Sequence, residues 1–125
     1  MLEDGLNPNF ADKKNSHLTP LHYAAQADSP QIIQLLLEKR ANIHLKDADK
    51  GTALHDAAFF GLDGRSMAVL LNSHPKVNAK TVNWRTPLHI AAWNKNYTVV
   101  RLLMQSNAEL NAVDLEGRTA LDLAL

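Results

Sequence analysis

The chain has 125 residues, no net formal charge with histidine neutral, 46% apolar and 21% charged residues, and no cysteine. This is the composition of a folded domain, and it excludes a disordered chain, a disulfide scaffold and a basic, electrostatically driven nucleic-acid binder. No apolar run approaches the roughly 18–20 residues that cross a bilayer, and the opening MLEDGLNPNF lacks the basic and apolar regions of a signal peptide. Met1 to Gly5 reads as the last turn of a helix with its glycine stop, and Asn7 to Asp12 as a turn-rich link. Thr19-Pro20 is a helix start, because the hydroxyl caps free backbone N–H groups and proline fits the first helical position. That helix is short and carries Ala24-Ala25, small side chains that let another helix approach. A break at Asp28 precedes a second helix, with Ile32-Ile33 and Leu35-Leu36-Leu37 forming an apolar stripe that ends at Arg40.

The same two-helix plan then recurs. Thr52 opens a helix with Ala57-Ala58, broken at Gly61 and followed by Met67 and Val69-Leu70-Leu71, ending at His74. Thr86-Pro87 opens a helix with Ala91-Ala92, broken at Lys95 and followed by Val99-Val100 and Leu102-Leu103-Met104, ending at Asn107. Thr119 to Leu125 supplies a first helix once more. The four starts share one phrase: TPLHYAA from Thr19, TALHDAA from Thr52, TPLHIAA from Thr86 and TALDLAL from Thr119. Their threonines stand 33, 34 and 33 residues apart, so the chain reads as a stack of small units.

The phrase, its period and the gap-free stretches Ala24–Asp47 and Ala91–Asp114 resemble the ankyrin repeat, over essentially the whole chain. The resemblance implies an all-α solenoid of stacked helix–turn–helix units joined by β-hairpin-like loops. It divides the chain into the tail of a partial repeat (1–12), repeats at 13–45, 46–79 and 80–112, and the start of a partial repeat (113–125). The family usually carries glycine at Arg40, His74 and Asn107, where the backbone turns left-handed, so Arg40 is expected to be strained. Neither terminus offers a polar capping face, and Leu121, Leu123 and Leu125 are expected to be poorly covered. A segment of a longer array is therefore expected. Two insertions interrupt the period, within Lys13–Leu18 and near Leu62–Gly64.

Three of the six histidines, His22, His55 and His89, occupy one place in successive phrases. One position per repeat implies one structural role per repeat, bonding the adjacent Thr19, Thr52 or Thr86 and tying neighbouring loops together; Thr119 has Asp122 instead. His44 takes the place held elsewhere by Asn9, Asn78 and Asn111, while His17 and His74 are expected to be exposed. No zinc spacing, phosphate-cradling glycine motif or nucleophile elbow is present, so no catalytic site, metal or cofactor is expected. Asp56 follows His55 directly, and adjacent helical residues make a poor dyad.

The binding surface is read from departures. The resemblance implies a concave face built from hairpin tips and first helices. There the chain places Phe59 and Phe60, Trp93 and Asn94, and Trp84 and Arg85, with Trp84 in a family glycine place. Tyr23 and Asp56 rim this patch, and Lys46 and Asp49 add polar contacts. Aromatic and arginine residues concentrate binding energy at interfaces. A non-catalytic protein- or peptide-binding module is expected, with no nucleic-acid or membrane partner and an intracellular, cytoplasmic or nuclear, setting. The alternative is a regulatory or tethering segment of a larger enzyme, channel or ubiquitin-ligase adaptor. Hairpin asparagines of the family can be hydroxylated, and Asn111, with Leu103 upstream, resembles such a site.

Overall fold

The computed structural model describes residues 7–125. The expected helical turn at Met1–Gly5 lies outside the described residues. Seven helices are present among them: α1 (Pro20–Gln26), α2 (Pro30–Glu38), α3 (Ala53–Phe60), α4 (Arg65–Leu71), α5 (Pro87–Trp93), α6 (Tyr97–Gln105) and α7 (Ala120–Ala124). The odd-numbered helices stack on one another in one layer, and α2, α4 and α6 form the layer behind. The chain is an all-α solenoid.

Each first helix begins at its threonine. The backbone N–H of Thr19, Thr52 and Thr86 donates to Nδ1 of His22, His55 and His89 at 3.2, 3.0 and 3.1 Å. A backbone N–H can only donate, so Nδ1 is an acceptor and the proton sits on Nε2. Nε2 then donates to the carbonyl of the following hairpin: Gly51 at 2.9 Å, Arg85 at 3.0 Å and Arg118 at 2.9 Å. One imidazole thus closes its own helix and fastens the next repeat. At Thr119 the Asp122 carboxylate accepts the same backbone N–H at 2.8 Å. Serine and asparagine cap the second helices: Ile32 N–H donates to Ser29 Oγ at 3.3 Å and Val99 N–H to Asn96 Oδ1 at 3.2 Å.

The core lies between the two layers. Ala25, Ala57 and Ala91 are fully buried where first helices meet, and Ile33, Leu36, Met67, Leu70, Val99 and Leu103 are fully buried on the second helices. Each of the larger side chains contributes about 1.5–3 kcal/mol by leaving water. The links between repeats form no strands among the described residues. They are tight hairpin-like turns closed by backbone bonds from Asp47 to Gly51, Thr81 to Arg85 and Asp114 to Arg118. The first link closes from Asp12 to Leu18, two residues wider, and is the one isolated antiparallel bridge. Successive tips join as well: Ala48 N–H donates to the Ser16 carbonyl at 2.8 Å, Val82 to Asp49 at 2.9 Å and Leu115 to Asn83 at 3.0 Å.

Left-handed backbone recurs with the repeat. Arg40, His74 and Asn107 have φ of +67, +52 and +68°, and Lys50, Trp84 and Gly117 have φ of +63, +62 and +76°. Asp28 and Lys95 end their first helices at +50 and +56°, but Gly61, at the same place, is extended at −78°. The residue inserted in that turn moves the left-handed step to Gly64, φ +83°, which begins α4. Leu121 and Leu125 are exposed, but Leu123 corrects the expectation of poor cover. It is 8% exposed, because α7 lays it against α5.

Candidate partner-binding site

The first helices present three side-chain positions in register, none of them buried. Tyr23, Asp56 and Ile90 form one row, Gln26, Phe59 and Trp93 the next, and Ala27, Phe60 and Asn94 the third. Phe59 and Trp93 are exposed at 54 and 60%. They stand on α3 and α5 and wall a single hollow of about 370 Å³. Ile90 and Leu123 line it among the helices, and Asp49, Val82 and Arg85 line it from the hairpins. The structure therefore brings Phe59, Trp93, Arg85 and Asp49 to one place. Ile90, Val82 and Leu123, which complete its walls, were not marked as binding residues by sequence. Ile90 was findable, since it holds the register position of Tyr23 and Asp56. Leu123 was not, because its burial depends on where α7 packs.

Arg85 lines the hollow with its Nε 3.6 Å from Asp114 Oδ2, beyond hydrogen-bond length, and among the described residues this buried nitrogen has no hydrogen-bond partner. Asp114 is already engaged. Its Oδ1 accepts the backbone N–H groups of Glu116 and Arg118 at 2.9 and 3.0 Å, and its Oδ2 accepts Arg118 Nε at 3.3 Å. The Arg85 guanidinium is thus held near an anion that has little capacity left for it.

The other residues marked by sequence are placed around this centre or away from it. Phe60 packs edge-on against Phe59 with ring centroids 4.8 Å apart and remains exposed. Asn94 uses its amide to donate to the Phe59 carbonyl at 3.1 Å, so it braces α3 against α5. Trp84 stands outside the hollow, half exposed, with Lys80 Nζ 5.0 Å from its ring centroid. That stacking supplies a use for the ring which the sequence did not reveal. Tyr23 lines a separate hollow of about 480 Å³ with Phe10 and Ile32, and donates its hydroxyl to Asp12 Oδ2 at 3.0 Å. Lys46 borders a third, small hollow with Ile43 and Pro75 and does not reach the aromatic pair. Asp56 is half-buried and, among the described residues, accepts only from Gln26 Nε2, at 3.5 Å. Burial first, and the Asp47 anion second, push its carboxyl up to about 7.

The hairpin asparagines are used unequally. Asn9 Oδ1 accepts the Asn42 N–H at 2.6 Å and Asn78 Oδ1 the Glu109 N–H at 2.8 Å, each bracing the next repeat. Asn111 is exposed in the turn at 110–111. Among the described residues no group of three or more histidine, aspartate or glutamate side chains is placed to hold a metal ion. No described helix is long and apolar enough to cross a membrane.

A stack of helix–turn–helix units with cross-repeat histidine ties defines a repeat solenoid. The chain belongs to the ankyrin-repeat family. Two family profiles match it, "Ankyrin repeats (3 copies)" over residues 1–81 and "Ankyrin repeats (many copies)" over residues 70–124. It is 37% identical to the human transient receptor potential cation channel subfamily A member 1 over 112 residues, 88% of this chain and 10% of that protein. It is 35% identical to human inversin over 126 residues, 99% of this chain and 12% of that protein. The ankyrin repeat protein FPV031 of fowlpox virus is 32% identical over 132 residues, with 100% of this chain and 38% of that protein covered. The chain thus spans about a tenth of the first two relatives. Ankyrin repeats are protein-interaction modules, and in these relatives the matching stretch is one part of a longer protein.

Proposed function

We propose that the chain is a non-catalytic docking module that takes a protein or peptide on its concave face, with Phe59 and Trp93 as the apolar anchors. The observation that carries this reading is the pair itself: two large aromatics, each more than half exposed, on neighbouring helices and around one hollow. Exposed apolar surface of this kind is uncommon unless something covers it. The scaffold beneath is stiff, because each hairpin is tied to the next by a buried imidazole and a backbone bond. A preorganised surface loses little entropy on docking.

Trp93→Ala is expected to weaken capture of the partner at least about tenfold while leaving the thermal midpoint nearly unchanged, because the ring is anchored in no core. Affinity capture compared between wild type and variant, with calorimetry of both, checks this. A drop of several degrees with capture intact assigns the ring to the fold instead. A regulatory or tethering role within a larger channel, enzyme or ubiquitin-ligase adaptor is the second reading, favoured by the small share of two relatives that the chain spans. The full-length coding sequence tests it: an appended catalytic, membrane or adaptor domain supports the tether, and a chain of repeats alone opposes it.

A further inference from the structure

Asp56 is a poorly compensated charge on the helical face that carries Phe59. Its carboxylate is half-buried in the middle of α3, one helical turn from Phe59 and Phe60 and level with Tyr23 of α1 and Ile90 of α5. Among the described residues its sole hydrogen-bond donor is the Gln26 amide at the 3.5 Å limit. Among the described residues no lysine, arginine or histidine nitrogen comes within 4.0 Å of it. The titratable and charged groups on the helices packed against α3 are His22 and Tyr23 of α1, Arg65 of α4 and His89 of α5, with His55 on α3 itself. His22, His55 and His89 are spent on capping and on the inter-repeat carbonyls, Tyr23 on Asp12 and Arg65 on Asp63. The nearby hairpin contributes Asp47, another anion. Arg85, the cation of the hollow, faces Asp114 instead.

A desolvated carboxylate without a cation is costly unless a partner brings one. We infer that Asp56 is the ionic anchor of the docking face, and that the segment it receives carries a lysine or arginine beside a large apolar side chain. The cation meets Asp56, its aliphatic stem lies along the Phe59 ring, and the apolar neighbour enters the hollow between Phe59 and Trp93. This inference rests on the concave face being the docking surface. It has a consequence that a neutral groove lacks. Pairing with a cation requires the ionised carboxylate, and the free carboxyl titrates at about 7, so binding releases a proton and tightens as pH rises.

The test selects a displayed library of random peptides on the 125-residue protein at about pH 8, where the carboxylate is mostly ionised. Enriched sequences are expected to set Lys or Arg beside Trp, Phe, Tyr, Leu or Met. A synthetic peptide from that set should bind roughly tenfold more tightly at about pH 8 than at about pH 6. Asp56→Asn, which keeps the side-chain size, should bind it more weakly and show no pH dependence, with an unchanged helical circular dichroism spectrum. Enriched peptides lacking a basic residue, or a pH dependence that survives in Asp56→Asn, overturn the anchor. If those same peptides still need Trp93, the docking face stands without it. A library that enriches nothing, or peptides indifferent to both Asp56→Asn and Trp93→Ala, overturns the face and the anchor together.

Discussion

Asp56 and His55 are neighbours on α3 whose desolvation acts oppositely on stability. The Asp56 carboxyl is raised from 3.8 to about 7 in the folded chain. Between these values the unfolded chain is ionised and the folded one still holds its proton, so folding stability falls as pH rises through that window. Asp56→Asn is therefore expected to raise the thermal midpoint relative to wild type at about pH 8 and to leave it unchanged near about pH 4, as calorimetry at both values will show. His55 is shifted down from 6.5, first by burial, against the bond it donates to the Arg85 carbonyl, which favours its charged form. The unfolded chain protonates it first, so its contribution is complete above about pH 6.5 and declines on acidification. Trp84 illustrates conformational cost. At φ +62° it occupies backbone that a side chain opposes by about 1–2 kcal/mol. Trp84→Gly loses some of that gain to unfolded-state entropy and should still stabilise the fold by about 1 kcal/mol, read as a higher urea midpoint at unchanged slope.

The turn after α3 shows how one insertion is absorbed. Leu62 is 83% exposed, while Gly61 and Gly64 are buried around it. Asp28 of the preceding repeat reaches across, accepting the Leu62 N–H at 3.3 Å and the Ser66 hydroxyl at 2.7 Å. Asn96 of the following repeat donates to the Gly61 carbonyl at 2.7 Å. The widened turn is thus clamped from both sides. Gly61 has no room for a side chain, since a Cβ there falls 2.5 Å from the Ala57 carbonyl oxygen. That neighbour is helix backbone and cannot swing away. Gly61→Ala should cost about 1–3 kcal/mol, measured by chemical denaturation. A neutral result there shows that the turn can shift as a unit.

Cohesion across the whole molecule passes between nearest neighbours. α1 touches α3, α3 touches α5 and α5 touches α7, with the second helices layered likewise. Stability in such a stack is a sum of units and interfaces rather than one global core. Among the described residues α7 packs chiefly on α5, whereas α3 is held on three sides by α1, α4 and α5. Native-state hydrogen exchange should release the amides of α7 well before those of α3. Equal protection in both helices will show instead that the stack unfolds as a single unit.

Much of the scaffold was legible because its determinants are local or periodic. Thr-Pro starts, the apolar stripes of α2 and α6, and one histidine per repeat each recur at fixed offsets, and their chemistry is short-range: caps, helical faces, a ring bonding its own threonine. The concave aromatics were legible as departures from that period. What only the tertiary structure decided was convergence. Phe59, Trp93, Arg85 and Asp49 surround one hollow, while Lys46 and Tyr23 belong to others. Leu123 is buried, Trp84 lies under Lys80, and Asp56 stands without a cation. The physical reason is that exposure, desolvation and pairing are properties of the space between repeats. They are set by the stacking of helices 33 or 34 residues apart, which no single stretch of chain encodes.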